Sequence, residues 1–181
     1  GAPFRVAVPP PANEKTAARK AARRSKPARE EPIPIQDTSR EEVLCTIRQV
    51  FQTGGPRDRE TALQDLKEAL GYQRLGKRIR ETLDRDLLTA VRRGILENEN
   101  GELRLAARTF EEYHRDHLKE CLLSAIGRTW TEREEAARLT ARWLGFARTS
   151  QAMQDEVRSL INGLIRTGHL ETEGRELIRR V

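Results

Sequence analysis

Two stretches of this chain align with each other without a gap. The first is Leu70–Leu103, LGYQRLGKRIRETLDRDLLTAVRRGILENENGEL, and the second is Leu144–Leu177, LGFARTSQAMQDEVRSLINGLIRTGHLETEGREL. Leu-Gly-aromatic-x-Arg opens both, and Arg-x-Gly-x-Leu-Glu-x-Glu recurs near the end of both. An internal repeat of this length means that one supersecondary unit is built twice. The unit must therefore be small, and the chain must hold two of it.

The periodicity around the repeats says what the unit is. Ser39-Arg40-Glu41-Glu42 is a capping box, and Val43, Leu44, Ile47, Val50 and Phe51 follow on one helical face until Gly54-Gly55-Pro56 stops the helix. Asp58 caps a second helix with Ala62, Leu63, Leu66 and Leu70 on its apolar face, ended by Gly71. A short turn, Tyr72 to Gly76, leads to a longer helix whose inner face is Ile79, Leu83, Leu87, Ala90 and Val91. Past Gly94, Ile95–Glu97 and Glu102–Leu105 alternate around Asn98-Glu99-Asn100-Gly101, which predicts a β-hairpin.

The second half reads the same way. Thr109-Phe110-Glu111-Glu112 is expected to cap a helix carrying Tyr113, Leu118, Leu122 and Ile126, and Thr131-Glu132-Arg133-Glu134 the next, with Ala136, Leu139, Trp143 and Leu144. A third helix from near Thr149 is expected to bury Met153, Val157, Leu160, Ile161, Leu164 and Ile165, and a hairpin spans His169–Ile178. Three helices and a hairpin, with a tight turn between the second and third helices, is the winged helix-turn-helix order. The expected fold is thus mainly α with short β-hairpins, in tandem winged helix-turn-helix repeats over 38–107 and 108–181.

Residues 1–37 differ in texture. VPPPANEKTAARKAARRSKPAREEPIPIQD is rich in Pro, Ala and Arg and cannot bury enough surface to offset the entropy of ordering. It reads as a basic linker or as an arm that contacts phosphates through Arg19, Lys20, Arg23 and Arg24, with Thr16–Arg24 able to turn helical on an anionic surface. Pro3–Val8 has a strand-like alternation. The net charge of +6 is mostly here: residues 1–37 hold eight basic and four acidic residues, whereas 38–107 and 108–181 each hold thirteen and twelve. The repeats are nearly neutral, so the basic character of the whole chain is a weak argument for nucleic acid.

Several classes are excluded or left unsupported. No apolar run approaches the ~18–20 residues that span a bilayer, and no apolar segment follows the first basic residues as a signal peptide requires. Two cysteines, Cys45 and Cys121, make no disulfide framework and suggest a reducing, cytoplasmic setting. No phosphate-binding Gly-x-x-x-x-Gly-Lys-Ser/Thr is present, since Gly54-Gly55-Pro56 lacks the lysine. His114, His117 and Cys121 have a spacing that can share a helix face, but no fourth ligand is evident. No metal, cofactor or catalytic residue is expected, and the chain does not read as an enzyme.

The repeats differ where a helix-turn-helix would meet DNA. Arg74, Lys77, Arg78 and Arg80 crowd the turn and first turn of the third helix in the first repeat, with no acid among them. Cations there oppose the helix dipole, which DNA phosphates would relieve; the alternative is a solvated face paired with Asp84, Asp86 and Glu68. The second repeat has Arg148, Thr149, Ser150, Gln151 and Gln154, which either read base edges or cap the helix.

Leu70-Gly71-Tyr72-Gln73-Arg74-Leu75-Gly76-Lys77-Arg78-Ile79, with the long helix, Gly94 and the Gly101 hairpin, resembles a helicase-associated domain of unknown function. That domain is found near the C-terminus of large bacterial superfamily-1 helicase and Vsr-like nuclease proteins. The second repeat keeps Leu144-Gly145-Phe146-Ala147-Arg148 but has Ser150 and Ala152 in place of the Gly and Arg of the pattern. The resemblance implies an accessory, duplex-DNA-binding module beside an upstream helicase or nuclease, in DNA repair or defence, associated with the nucleoid when bound. A protein-interaction adaptor and a free-standing transcriptional regulator are the alternatives.

Overall fold

The computed structural model describes residues 31–181. Arg19, Lys20, Arg23 and Arg24, the Thr16–Arg24 segment and the strand-like Pro3–Val8 lie outside the described residues. The folded chain begins earlier than the helical periodicity predicts: Ile35, in a 3-10 turn over Ile35–Asp37, is only 4% exposed and joins the first core.

Six α-helices and six short strands follow. Helix α1 (Arg40–Gly54) starts at a complete capping box, in which Ser39 Oγ accepts from Glu42 N and the Glu42 carboxylate accepts from Ser39 N, both at 3.2 Å. Strand β1 (Arg57–Asp58) leads directly into α2 (Arg59–Ala69), and α3 (Lys77–Arg93) ends at the left-handed Gly94. Strands β2 (Leu96–Glu99) and β3 (Glu102–Leu105) meet at Asn100-Gly101, both with positive φ, as a two-residue hairpin turn requires. The second half has α4 (Arg115–Ile126), β4 (Thr131–Glu132), α5 (Arg133–Trp143), α6 (Gln151–Arg166), β5 (Leu170–Glu173) and β6 (Leu177–Arg180).

Periodicity predicts the helices but misses β1 and β4. Each adds a third, antiparallel strand to its hairpin, giving the orders β1-β3-β2 and β4-β6-β5. Two residues carry no alternation to detect; Arg57↔Leu103 and Thr131↔Ile178 form only because the hairpin lies alongside. The leading strand of each hairpin runs two residues further into the turn than expected, to Glu99 and to Glu173, while β3 begins at Glu102 as expected and β6 begins only at Leu177.

Three expected caps differ. Thr109 precedes a 3-10 turn, Phe110–Glu112, rather than α4, because Phe110 is buried edge-on against Phe146 with ring centroids 6.0 Å apart. Tyr113 therefore stands before α4, which His114 caps by accepting from Asp116 N at 3.2 Å. Thr131 is a strand residue whose hydroxyl donates to Thr129 O, and Glu132 takes the cap position of α5. Asp58 does sit at the cap of α2, but its carboxylate accepts from the Thr61 hydroxyl, which holds it below the usual carboxylate range.

The described residues form two hydrophobic cores. One joins Ile35, Val43, Leu44, Ile47, Phe51, Leu63, Leu66, Leu83 and Leu87 to the first hairpin, and the other joins Phe110, Leu118, Leu122, Val157, Leu160, Ile161 and Ile178. Each fully buried large side chain contributes roughly 1.5–3 kcal/mol. Val50, Leu70, Ile79, Val91, Leu139, Trp143, Met153 and Ile165 only line the core edges. Asp86, expected on the solvent side of α3, is buried beside Arg40 at 3.4 Å, and loss of water pushes its carboxyl up despite that charge.

Polar groups join the halves. Arg48, on α1, is 3% exposed and reaches across: Nε donates to Leu144 O at 2.8 Å, Nη1 to Ala107 O at 2.7 Å and Nη2 to the Tyr113 hydroxyl at 2.6 Å. Its guanidinium lies 3.9 Å from the centroid of the Phe146 ring. Tyr113 in turn donates to Gly94 O at 2.7 Å, and Arg93 stacks on Trp143 at 3.6 Å. No helix among the described residues is long and apolar enough to cross a membrane.

Candidate nucleic-acid interface

The amino end of α3 is open. Gly76 occupies the cap position with no side chain to accept from the first turn, and the first turn has no acid. The backbone N–H groups there lack intrahelical partners, so the helix presents donors and its positive dipole end to solvent. Arg74, Lys77 and Arg78 surround this end, all exposed. None of them enters an ion pair among the described residues.

Arg80 does not belong with them. Its guanidinium forms a fork on Glu60, at 2.7 and 3.0 Å, which raises the arginine and lowers the glutamate from their ordinary pKa values. The expected partners of the basic cluster are also used elsewhere: Asp84 accepts from Arg59 at 2.7 Å and Asp86 faces Arg40. Spacing on one helix cannot reveal these pairs, because each joins α3 to another element.

Sequence reasoning missed the rest of this face. Arg78, Glu81, Arg85, Leu88 and Arg92 follow at intervals of three and four along α3, and all are exposed, Leu88 by 48%. The signal was available as the complement of the buried stripe Leu83, Leu87 and Ala90. The face is basic and carries one apolar side chain at its centre.

The corresponding end of α6 is closed. Ser150 Oγ accepts from Met153 N at 3.2 Å, and Gln151 donates to Asp155 at 3.1 Å. Arg148 is exposed and Thr149 half-buried beside this end, while Gln154 lies over a cavity between α5 and α6. Of the two readings open for this turn, Ser150 takes the capping one.

The first hairpin is acidic, whereas on the second Arg175, Arg179 and Arg180 balance the glutamates. Glu97, Glu99 and Glu102 are exposed on the first, where Arg104 reaches Glu97 at 3.3 Å and Glu99 at 2.7 Å, and Glu171, Glu173 and Glu176 lie on the second. His117 and Cys121 come together, but His114 does not join them. His114 is a cap, and His117 Nε2 lies 3.0 Å from Arg93 O and 3.5 Å from Cys121 Sγ. Burial pushes the Cys121 thiol up to about 12. No group of three or more potential metal ligands is assembled among the described residues.

No protein-family model, curated protein or solved structure was found to match this chain.

Proposed function

We propose that the chain is a non-catalytic DNA-binding module in which each half is a winged helix-turn-helix and α3 is the main DNA-contacting helix. The helix and strand order of each half, with a short strand ahead of the second helix joining the hairpin, supports the fold reading. The observation that carries the function is the open amino end of α3, around which Arg74, Lys77 and Arg78 meet no acid among the described residues. Phosphate oxygens complement both the cations and the free backbone donors. The Leu70–Ile79 motif supports a setting beside a helicase or nuclease in a larger DNA-processing protein acting in the cytoplasm at the nucleoid.

The acidic first hairpin favours a second reading, in which the chain is an adaptor that docks a protein. A negative first hairpin would be repelled by a duplex backbone, so on the DNA reading recognition by the first half falls to α3 and not to its hairpin.

Fluorescence anisotropy with a labelled duplex, across a range of salt, tests the proposal. Affinity should fall steeply with salt and depend weakly on sequence. The triple variant Arg74→Ala, Lys77→Ala, Arg78→Ala should flatten the log–log salt slope by up to about 2.7 units if each cation meets one phosphate. Arg80→Ala should change the slope little, since Glu60 already holds that charge. Absence of binding at low salt, with the fold intact by circular dichroism, would hand the case to the adaptor.

A further inference from the structure

The strand order β1-β3-β2 leaves β2 at the edge of its sheet. Ala106 N donates to Ile95 O at 3.0 Å, so Ile95, Glu97 and Glu99 are the positions that exchange hydrogen bonds with the facing strand. Asn98, between them, therefore turns its backbone N–H and C=O away from β3 and toward the free edge. The residue is exposed, and its side chain is used inside the turn, where it accepts from Gly101 N at 3.0 Å.

That edge opens on a groove. A cleft of about 650 Å³ lies between β2 and the segment ahead of α4, within the range of about 300–1,000 Å³ usual for clefts that hold a ligand. Val91, Ala106 and Tyr113, each half-buried, give it an apolar floor. Tyr113 is fixed there by its bonds to Arg48 and Gly94, and its ring stacks on His117 with centroids 5.5 Å apart. The rim is acidic. Glu97, Glu99 and Glu112 are exposed along it, against one cation, Arg104, which already lies on Glu97 and Glu99. Three carboxylates and one guanidinium leave an excess of two negative charges.

We infer that this groove binds a basic segment of a partner protein, extended along β2, with one residue paired to the Asn98 backbone and lysine or arginine side chains beside Glu97 and Glu99. Each feature selects the occupant. The carboxylates repel a nucleic acid and attract cations. The apolar floor suits the methylene stems of lysine and arginine. A donor and an acceptor free on one edge residue are matched together by another polypeptide backbone, which a polyamine cannot do. Alternation on the added strand then puts its residues on either side of the Asn98 partner on the same face as Glu97 and Glu99. Charged side chains commonly guard an exposed edge against pairing; here the guard has one sign, so it turns away acidic strands and admits basic ones. The inference does not rest on the DNA reading, which concerns the amino end of α3, whereas the groove adjoins Gly94 at the carboxyl end.

The test titrates the whole chain, labelled with nitrogen-15, with the capped peptide Ala-Lys-Val-Arg-Ala at constant ionic strength, and follows backbone amides by two-dimensional NMR. The Asn98 amide should move downfield, with Glu97, Glu99 and Ala106 shifting beside it, and the response should saturate at about 1 mM, as so small a contact allows. Ala-Glu-Val-Glu-Ala should give no response. N-methylation of the peptide's valine, which removes the donor to Asn98, should weaken binding about two- to tenfold. The double variant Glu97→Gln, Glu99→Gln should weaken it about fivefold or more, and Ala106→Leu, which fills the floor, should abolish it. Spermidine moving the same resonances as strongly as the peptide would overturn the polypeptide assignment. A response confined to the amino end of α3, or none at millimolar peptide, would overturn the groove. If one variant fails to fold, the other decides, and an undiminished response in a folded variant counts against the inference. Duplex DNA, added separately, should instead move the Lys77 and Arg78 amides, so that failure of either reading leaves the other standing.

Discussion

Gly71 and Gly145 hold the same place in the two repeats and illustrate how far a residue-scale reading reaches. Both sit at positive φ, +83° and +76°, where a side chain is strained. The requirement for glycine is therefore local and visible in the repeated Leu-Gly-aromatic pattern. What is not local is the space around them. A Cβ on Gly145 would lie 2.8 Å from Leu44 O, on backbone of the other half, whereas one on Gly71 would meet only Pro32 Cβ at 3.6 Å. Gly71→Ala should cost about 1–2 kcal/mol from the left-handed backbone alone. Gly145→Ala should cost more, because α1 must also move. Urea denaturation of the two variants compares them directly; equal losses would show that the contact between the halves yields freely.

At the scale of elements, the same four-residue signature appears three times and caps one α-helix. Ser39-Arg40-Glu41-Glu42 forms the complete box through Ser39 and Glu42, whose side chains each accept from the other's backbone N–H. At Thr109 the burial of Phe110 wins over helix initiation, and at Thr131 strand pairing with Ile178 does. The ends of α3 and α6 carry the contrast further, with Gly76 leaving one open and Ser150 closing the other. Ser150→Ala should therefore lower stability by about 1 kcal/mol and leave the salt dependence of DNA binding unchanged. Gly76→Ser should stabilise slightly and weaken DNA binding, because its hydroxyl would occupy a backbone donor that phosphate needs. Thermal melts beside anisotropy separate the two effects, and a Gly76→Ser protein that binds DNA as before would remove the open helix end from the proposed interface.

The molecule as a whole depends on a buried cation that touches no carboxylate. Arg48 spans two separate cores through two carbonyls, a tyrosine hydroxyl and an aromatic face. Arg48→Met keeps apolar bulk and leaves Leu144 O, Ala107 O and the Tyr113 hydroxyl without this donor. Each buried group so stranded costs about 1–3 kcal/mol. The expected result is a loss of several kcal/mol, on the order of the sum, and a broadened or split calorimetric transition as the halves melt separately. A single transition at the original temperature would show that the halves are coupled by other contacts.

Composition and periodicity were enough to read the duplication, the six helices, both hairpins and the glycines that end the helices, because each is a property of neighbouring residues. The basic cluster at α3 was legible for the same reason. Only the tertiary structure decided which of those cations are free, since Arg80 meets Glu60 across two helices and Arg74, Lys77 and Arg78 meet no acid among the described residues. It also decided that Arg48 is buried, and that Arg133 Nε lacks the acceptor that Arg59 Nε has. Charge pairing and burial join residues distant along the chain, and a side chain's partner is selected by packing rather than by its own position in a repeat.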